Sequence, residues 1–180
     1  MKKSKKILPL VVILLALLAT FAKEIYKPNS AEYNNIETSA SNLSSFEAEV
    51  LRIIDGDTVE IFYDGKKDTL RLTGIDAPEW GSHVKAECYG EEASVRMKEL
   101  SDGKSIVVVI DGSQSDRDMY GRLLGYMYLK DGTFVNQKMI EQGYAEEYRF
   151  KTSYAHEDQF KSAEADARLK NLGIWGGCSL

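Results

Sequence analysis

Residues 55–79 read DGDTVEIFYDGKKDTLRLTGIDAPE, and their patterning decides what kind of fold this chain can adopt. Val59, Ile61 and Tyr63 recur at every second position, Asp64-Gly65 is a turn signal, and Leu70 and Leu72 resume the alternation with Arg71 between them and Thr73 after. Alternation with a period of two on both sides of an Asp-Gly pair specifies a β-hairpin with one buried face. Arg71 then lies off the apolar face that Leu70 and Leu72 present.

Working outward, Phe46, Ala48 and Val50 alternate in the same way and form an earlier strand. Ala93, Met97 and Leu100 fall at helical spacing and predict a helix from about Gly90 to Leu100, stopped by Asp102-Gly103. Ile106–Ile110 is short and β-branched and reads as a buried strand, and Leu123–Tyr128 as another. Further helices are expected from about Phe134 to Gln142 and from about His156 to Lys170, the latter with Phe160, Ala163 and Ala167 inward. Three strands, a helix, two strands and two helices lack the alternation of a parallel doubly wound sheet. They favour a small antiparallel barrel or sheet with peripheral helices.

The chain has 180 residues, 43% of them hydrophobic and 28% charged, which is material for one ordinary domain and a short appendage. Lys2, Lys3, Lys5 and Lys6 precede an uncharged run from Ile7 to Ala22, the layout of an export signal or N-terminal membrane anchor. That run is shorter than the roughly 20 apolar residues that span a bilayer comfortably, which favours a cleaved signal. Residues 23–45, rich in Ser, Asn, Glu and Ala, read as a flexible linker, and 46–180 as the domain proper. Loss of residues 1–22 removes four lysines and no acids, moving the formal charge from −5 to −9. Such acidity counts against a protein that holds nucleic acid tightly by bulk attraction. It leaves open an enzyme that supplies positive charge locally through a metal ion and a few arginines.

Two stretches carry the candidate chemistry. Asp55-Gly56-Asp57-Thr58 precedes one strand of the hairpin, and Asp76-Ala77-Pro78-Glu79 follows the other, with Arg71 between. If the hairpin brings them together, Asp57, Asp76 and Glu79 converge, and hard oxygen donors of this kind suit Ca²⁺ or Mg²⁺ in preference to zinc or copper. Arg122 follows Gly121, which permits a tight turn just before the strand from Leu123. A cation, two arginines and a carboxylate base are what phosphodiester hydrolysis needs. His83 and His156 sit outside these motifs, and no serine or cysteine sits in a nucleophile pattern.

The order and spacing from Asp55 to Glu79 resemble the first motif of the staphylococcal nuclease (thermonuclease) family. The likeness continues through Tyr89–Ala93, Asp118–Tyr128 and Asn171–Trp175. The resemblance implies an α+β fold, a five-stranded OB-fold barrel with three peripheral helices. It implies a calcium-dependent nuclease acting on DNA and RNA, single-stranded or denatured substrates favoured, with 3′-phosphate products. By the same likeness Asp57, Asp76 and the backbone carbonyl of Ala77 match the metal ligands, with Ala77 where the family commonly has threonine. Glu79 matches the general base, and Arg71 and Arg122 match the phosphate-binding arginines. Asp55 stands close to the metal in a supporting role, and Tyr120 and Tyr148 match substrate-binding tyrosines. Met119 and Phe150 depart from the family pattern where a basic residue and a second pocket tyrosine are usual. The alternative is an OB-type nucleic-acid-binding module without catalysis.

Cys88 and Cys178, the two cysteines of the chain, form no zinc pattern. In an exported protein they can pair as one disulfide; two free buried thiols are the other reading. The expected location is outside the cell, or on the outer face of its membrane if the N-terminal segment is retained.

Overall fold

A computed structural model describes residues 44–81 and 85–178. The expected export segment, nearly all of the expected linker, and His83 lie outside these residues. Strand β1 (Ser44–Ile53) is followed by β2 (Thr58–Tyr63), β3 (Lys66–Leu72), the two-residue β4 (Ile75–Asp76) and helix α1 (Gly90–Ser101). Then come β5 (Ser105–Ile110), β6 (Leu123–Leu129), α2 (Val135–Glu141), β7 (Glu146–Glu147), α3 (Glu157–Leu169) and the one-turn α4 (Ile174–Gly177).

Five strands close a barrel in the order β1-β2-β3-β6-β5, with β5 returning to β1. The expected α+β barrel with three principal helices is therefore present. Strand β1 pairs along its first half with β5 and along its second with β2, and its register to β2 shifts between Val50 and Arg52. A bulge there bends one strand around two neighbours, a common way to close a small barrel. Ser44 and Ser45 already pair with Ile110 and Val109, so the strand takes in the last two residues of the expected linker. Backbone pairing with β5 overrides a composition that reads as tether.

The barrel is not wholly antiparallel. Strand β3 runs parallel to β6, Leu70 facing Leu123 and Arg71 facing Leu124. Alternation reports which face of a strand is buried and is silent on its partner's direction, so the sequence left this seam unread. Asn136, fully buried in α2, secures it: its Oδ1 accepts from Met127 N–H at 2.9 Å and its Nδ2 donates to Thr73 O at 2.9 Å.

Val50, Val59, Ile61, Leu70, Leu72, Ile106, Val108 and Met127 fill the core. Val107 and Val109, expected as part of a fully buried strand, are half-buried, because β5 turns alternate side chains outward. Tyr126 packs against Phe134, His156 and Phe160 at ring separations of 5.9, 4.7 and 6.4 Å, which gives His156 a packing role.

Asp111, 3% exposed at the end of β5, anchors the approach to α3. Its Oδ2 accepts from Tyr126 Oη at 2.6 Å and Ala155 N–H at 2.8 Å, and its Oδ1 from Ser113. Burial opposes the charge, but these hydrogen bonds outweigh it and hold the carboxyl below the ordinary range. Asp111→Ala would orphan the buried Tyr126 hydroxyl, at about 1–3 kcal/mol, and release the part-buried Ala155 N–H, so thermal or denaturant unfolding should show a loss of roughly 2 kcal/mol. Because the folded carboxyl is depressed, its ionic contribution is full above the ordinary aspartate value of 3.8 and lost as pH falls below it.

Candidate active site

The hairpin and the parallel seam place the chemical residues at one end of the barrel. Asp57 sits just before β2, 4% exposed. Its Oδ2 accepts from the Ala77 N–H at 2.8 Å, and its Oδ1 accepts from Thr58 Oγ at 2.9 Å and lies 3.0 Å from Arg71 Nε. Asp55 accepts the Asp57 N–H at 3.0 Å and caps the same turn. The two acidic stretches therefore meet through a hydrogen bond spanning 20 residues.

Gly56 explains the closeness of the fit. A Cβ at this position would stand 2.6 Å from the Ala77 Cβ and 2.8 Å from the Ala93 Cβ. Only a residue without a side chain lets the first motif lie against both the second motif and α1.

Arg71 is the hub. Its Nη1 donates to Leu72 O at 2.8 Å and Ile75 O at 2.7 Å, its Nη2 donates to Asp76 Oδ1 at 2.7 Å, and its Nε faces Asp57. The side chain is only 13% exposed. One guanidinium orients both carboxylates and keeps one Nη2–H without a partner among the described residues. Phosphate contact is open to Arg71 only through that edge, a tighter constraint than the sequence suggested.

Arg122 is placed differently. Its Nε donates to Asp118 Oδ2 at 2.6 Å, while Asp118 Oδ1 accepts the N–H groups of Tyr120 and Arg122. The Asp118–Gly121 turn closes through a Gly121 N–H to Asp118 O bond, with Gly121 at φ +82°. Both terminal nitrogens of Arg122 are without partners among the described residues, so its fork is presented outward. Its charge also acts on Asp76.

Asp76 pairs with Glu146 in the β4–β7 ladder, and Tyr148 N–H extends that ladder to Gly74 O at 3.1 Å. Tyr148 and Phe150 are exposed, their rings 6.5 Å apart, and Tyr120 and Met119 are more exposed still. Tyr120 lies under the Arg122 guanidinium, 5.4 Å away. Glu79 is exposed on the chain leaving β4, its N–H donating to Glu87 Oε2 at 3.0 Å.

The local charge balance is negative. Burial first, then Asp55, raises the Asp57 carboxyl above its ordinary range against the pull of Arg71. Burial raises Asp76 as well, with Glu87 and Asp55 adding to it and Arg71 opposing. Glu79 is raised by burial, Asp55, Asp76 and Glu87. Among the described residues no three acidic, histidine or cysteine side chains gather into a ready-made cage. Asp57, Asp76 and the Ala77 carbonyl are nevertheless an oxygen-only donor set in a site with surplus negative charge. That fits a hard cation whose shell is completed by water, and does not fit zinc.

Glu87 is the site neighbour that sequence reasoning missed. It lies outside both motifs, and no residue pattern in the sequence set it apart. Glu146, which shares the β4–β7 ladder, was equally invisible.

Residues 69–177 match the family described as Staphylococcal nuclease homologue. Endonuclease YncB of Bacillus subtilis (strain 168) is 37% identical over 155 residues, covering 82% of this chain and 72% of that protein. The SPbeta prophage-derived endonuclease YokF of the same organism is 38% identical over 126 residues, 69% of this chain but only 42% of that protein. An uncharacterized endonuclease of Escherichia coli O157:H7 is 36% identical over 126 residues, covering 70% of this chain and 74% of its own. With a family match over more than half of its length and relatives of this identity and coverage, the chain belongs to the staphylococcal nuclease homologue family.

Proposed function

We propose that the protein is a calcium-dependent nuclease that hydrolyses phosphodiester bonds of DNA and RNA, favouring single strands and leaving 3′-phosphates. The observation that carries this reading is the sharing of one largely buried guanidinium, Arg71, by Asp57 and Asp76, with Glu79 near enough to feel the charge of Asp76, and Arg122 near enough for its charge to act on Asp76. Relatives named endonuclease support it.

Asp57, Asp76 and the Ala77 carbonyl would hold the cation, with Asp55 fixing the Asp57 turn. Bound calcium would supply positive charge to a phosphate oxygen and to developing negative charge at phosphorus. Arg122 grips phosphate oxygens with its two free nitrogens, and Arg71 offers its remaining Nη2–H. Glu79 accepts the proton of the attacking water. Tyr120 and Tyr148 offer exposed rings on which single-stranded bases can stack, which disfavours a closed duplex.

The purified chain should degrade denatured DNA and RNA with Ca²⁺ and stop when EGTA is added in the presence of Mg²⁺, because Mg²⁺ keeps its waters in a stricter octahedron. Undiminished turnover in EGTA with Mg²⁺ would refute the cofactor. Binding without cleavage under every metal condition would leave the OB-type binding module instead.

The lysine-flanked run from Ile7 to Ala22 supports export, with release outside the cell or retention on the membrane's outer face. No helix among the described residues is long and apolar enough to cross a membrane, and the run from Ile7 to Ala22 lies outside those residues. Full-length protein found free in the cytoplasm of its source cell would refute export.

A further inference from the structure

The backbone at Glu79 is clasped to Glu87. Glu79 N–H donates to Glu87 Oε2 at 3.0 Å, and Glu87 N–H donates to Glu79 O at 3.0 Å. The residue after Glu87 is Cys88, joined by a disulfide to Cys178 with their Cα atoms 5.9 Å apart. Cys178 ends the short helix α4, whose first residue, Ile174, donates its N–H to Gly143 O at 2.9 Å. From Gly143 the chain runs directly into β7, which pairs with Ile75 and Asp76 of β4. Three residues after Asp76 stands Glu79. The path therefore closes on itself, and the disulfide is its one covalent cross-link.

On its far side the clasp meets α1. Gly90 N–H donates to Glu87 O at 3.1 Å, and a Cβ on Gly90 would stand 2.4 Å from the Glu79 carbonyl oxygen. Glu87 itself is exposed.

We infer that Glu87 is a positioning residue for Glu79 and that the Cys88–Cys178 disulfide holds it in place, so that full turnover requires the bond. This rests on the reading of Glu79 as the base. Cys88 is exposed, so a soluble dithiol can reach the bond. Reduction by dithiothreitol delivers two electrons and two protons, giving the thiols of Cys88 and Cys178 and the reagent's cyclic disulfide, and alters nothing else covalently. The same nuclease would then be slow where thiols stay reduced and fast where disulfides form.

The test measures kcat and KM of the full chain, oxidised and reduced, with Glu79 intact and in Glu79→Gln, while near-UV circular dichroism monitors the fold. Misplacing a reacting group by about 1 Å costs on the order of 10²-fold, so reduction should lower kcat by about 10-fold or more with KM little changed. The loss should vanish in Glu79→Gln, where there is no base left to misplace. With the disulfide intact, Glu87→Ala should lower kcat similarly, and Glu87→Gln, whose amide oxygen still accepts the Glu79 N–H, should restore it. Equal losses on reduction in both Glu79 backgrounds, or wild-type kcat in Glu87→Ala, would overturn the inference. If the reduced chain unfolds, the Glu87 pair decides alone. Wild-type kcat in Glu79→Gln would instead overturn the base assignment.

Discussion

Glu79→Gln should lower kcat by on the order of 10² to 10⁴-fold at saturating Ca²⁺, the range for loss of a general base, with KM and folding little changed. The substitution keeps the side chain's size and its exposed position. It also spares the clasp, because the Glu79 contacts to Glu87 are made by backbone atoms. What it removes is basicity. A carboxylate can take up the proton of the attacking water, and an amide has no such capacity. Single-turnover cleavage of a short oligonucleotide separates this step from product release. A variant that cleaved at the wild-type rate would remove Glu79 from the mechanism, even with nuclease activity itself established.

Arg71→Met should cost both stability and activity, about 3 to 5 kcal/mol in unfolding free energy, the usual penalty for breaking a buried ion pair from one side. Asp57 would remain 4% exposed with no cation opposite it, and the carbonyls of Leu72 and Ile75 would lose their donor. Arg71→Lys should fall between, since one ammonium cannot reach two carboxylates and two carbonyls at once. The double variant Arg71→Met/Asp57→Asn should recover much of the stability and none of the turnover, because it removes the stranded charge together with the ligand. Denaturant midpoints measured in chelator read the stability arm. An Arg71→Met midpoint equal to wild type would mean that the guanidinium does not hold the two motifs together.

Much of this could be read from the residues, and the parts that could not share a physical reason. Five barrel strands and three helices announce themselves because each has enough residues to show a period. Ile75–Asp76 and Glu146–Glu147 are two residues each, too short for any period, and their pairing spans some seventy positions of chain. Strand direction at the β3–β6 seam is likewise absent from a pattern of alternating burial. At the site, residue types and spacing singled out Asp57, Arg71, Asp76, Glu79 and Arg122. They could not show that Arg71 spends most of its donors on its own chain while Arg122 keeps its fork open. Glu87 escaped notice because its part depends on a backbone approach that no side-chain type signals.

The covalent link between Cys88 and Cys178 spans 90 positions of the chain, and that span includes the exposed turn bearing Met119 and Tyr120. Exposed turns are where proteases cut first. A single cut there leaves both pieces attached, through the S–S bond and through barrel strands contributed by each side, since β1, β2 and β3 precede the cut and β6 follows it. The nicked molecule should migrate as one band without reductant and as two with it, so an enzyme exposed to foreign proteases can be cut once without coming apart.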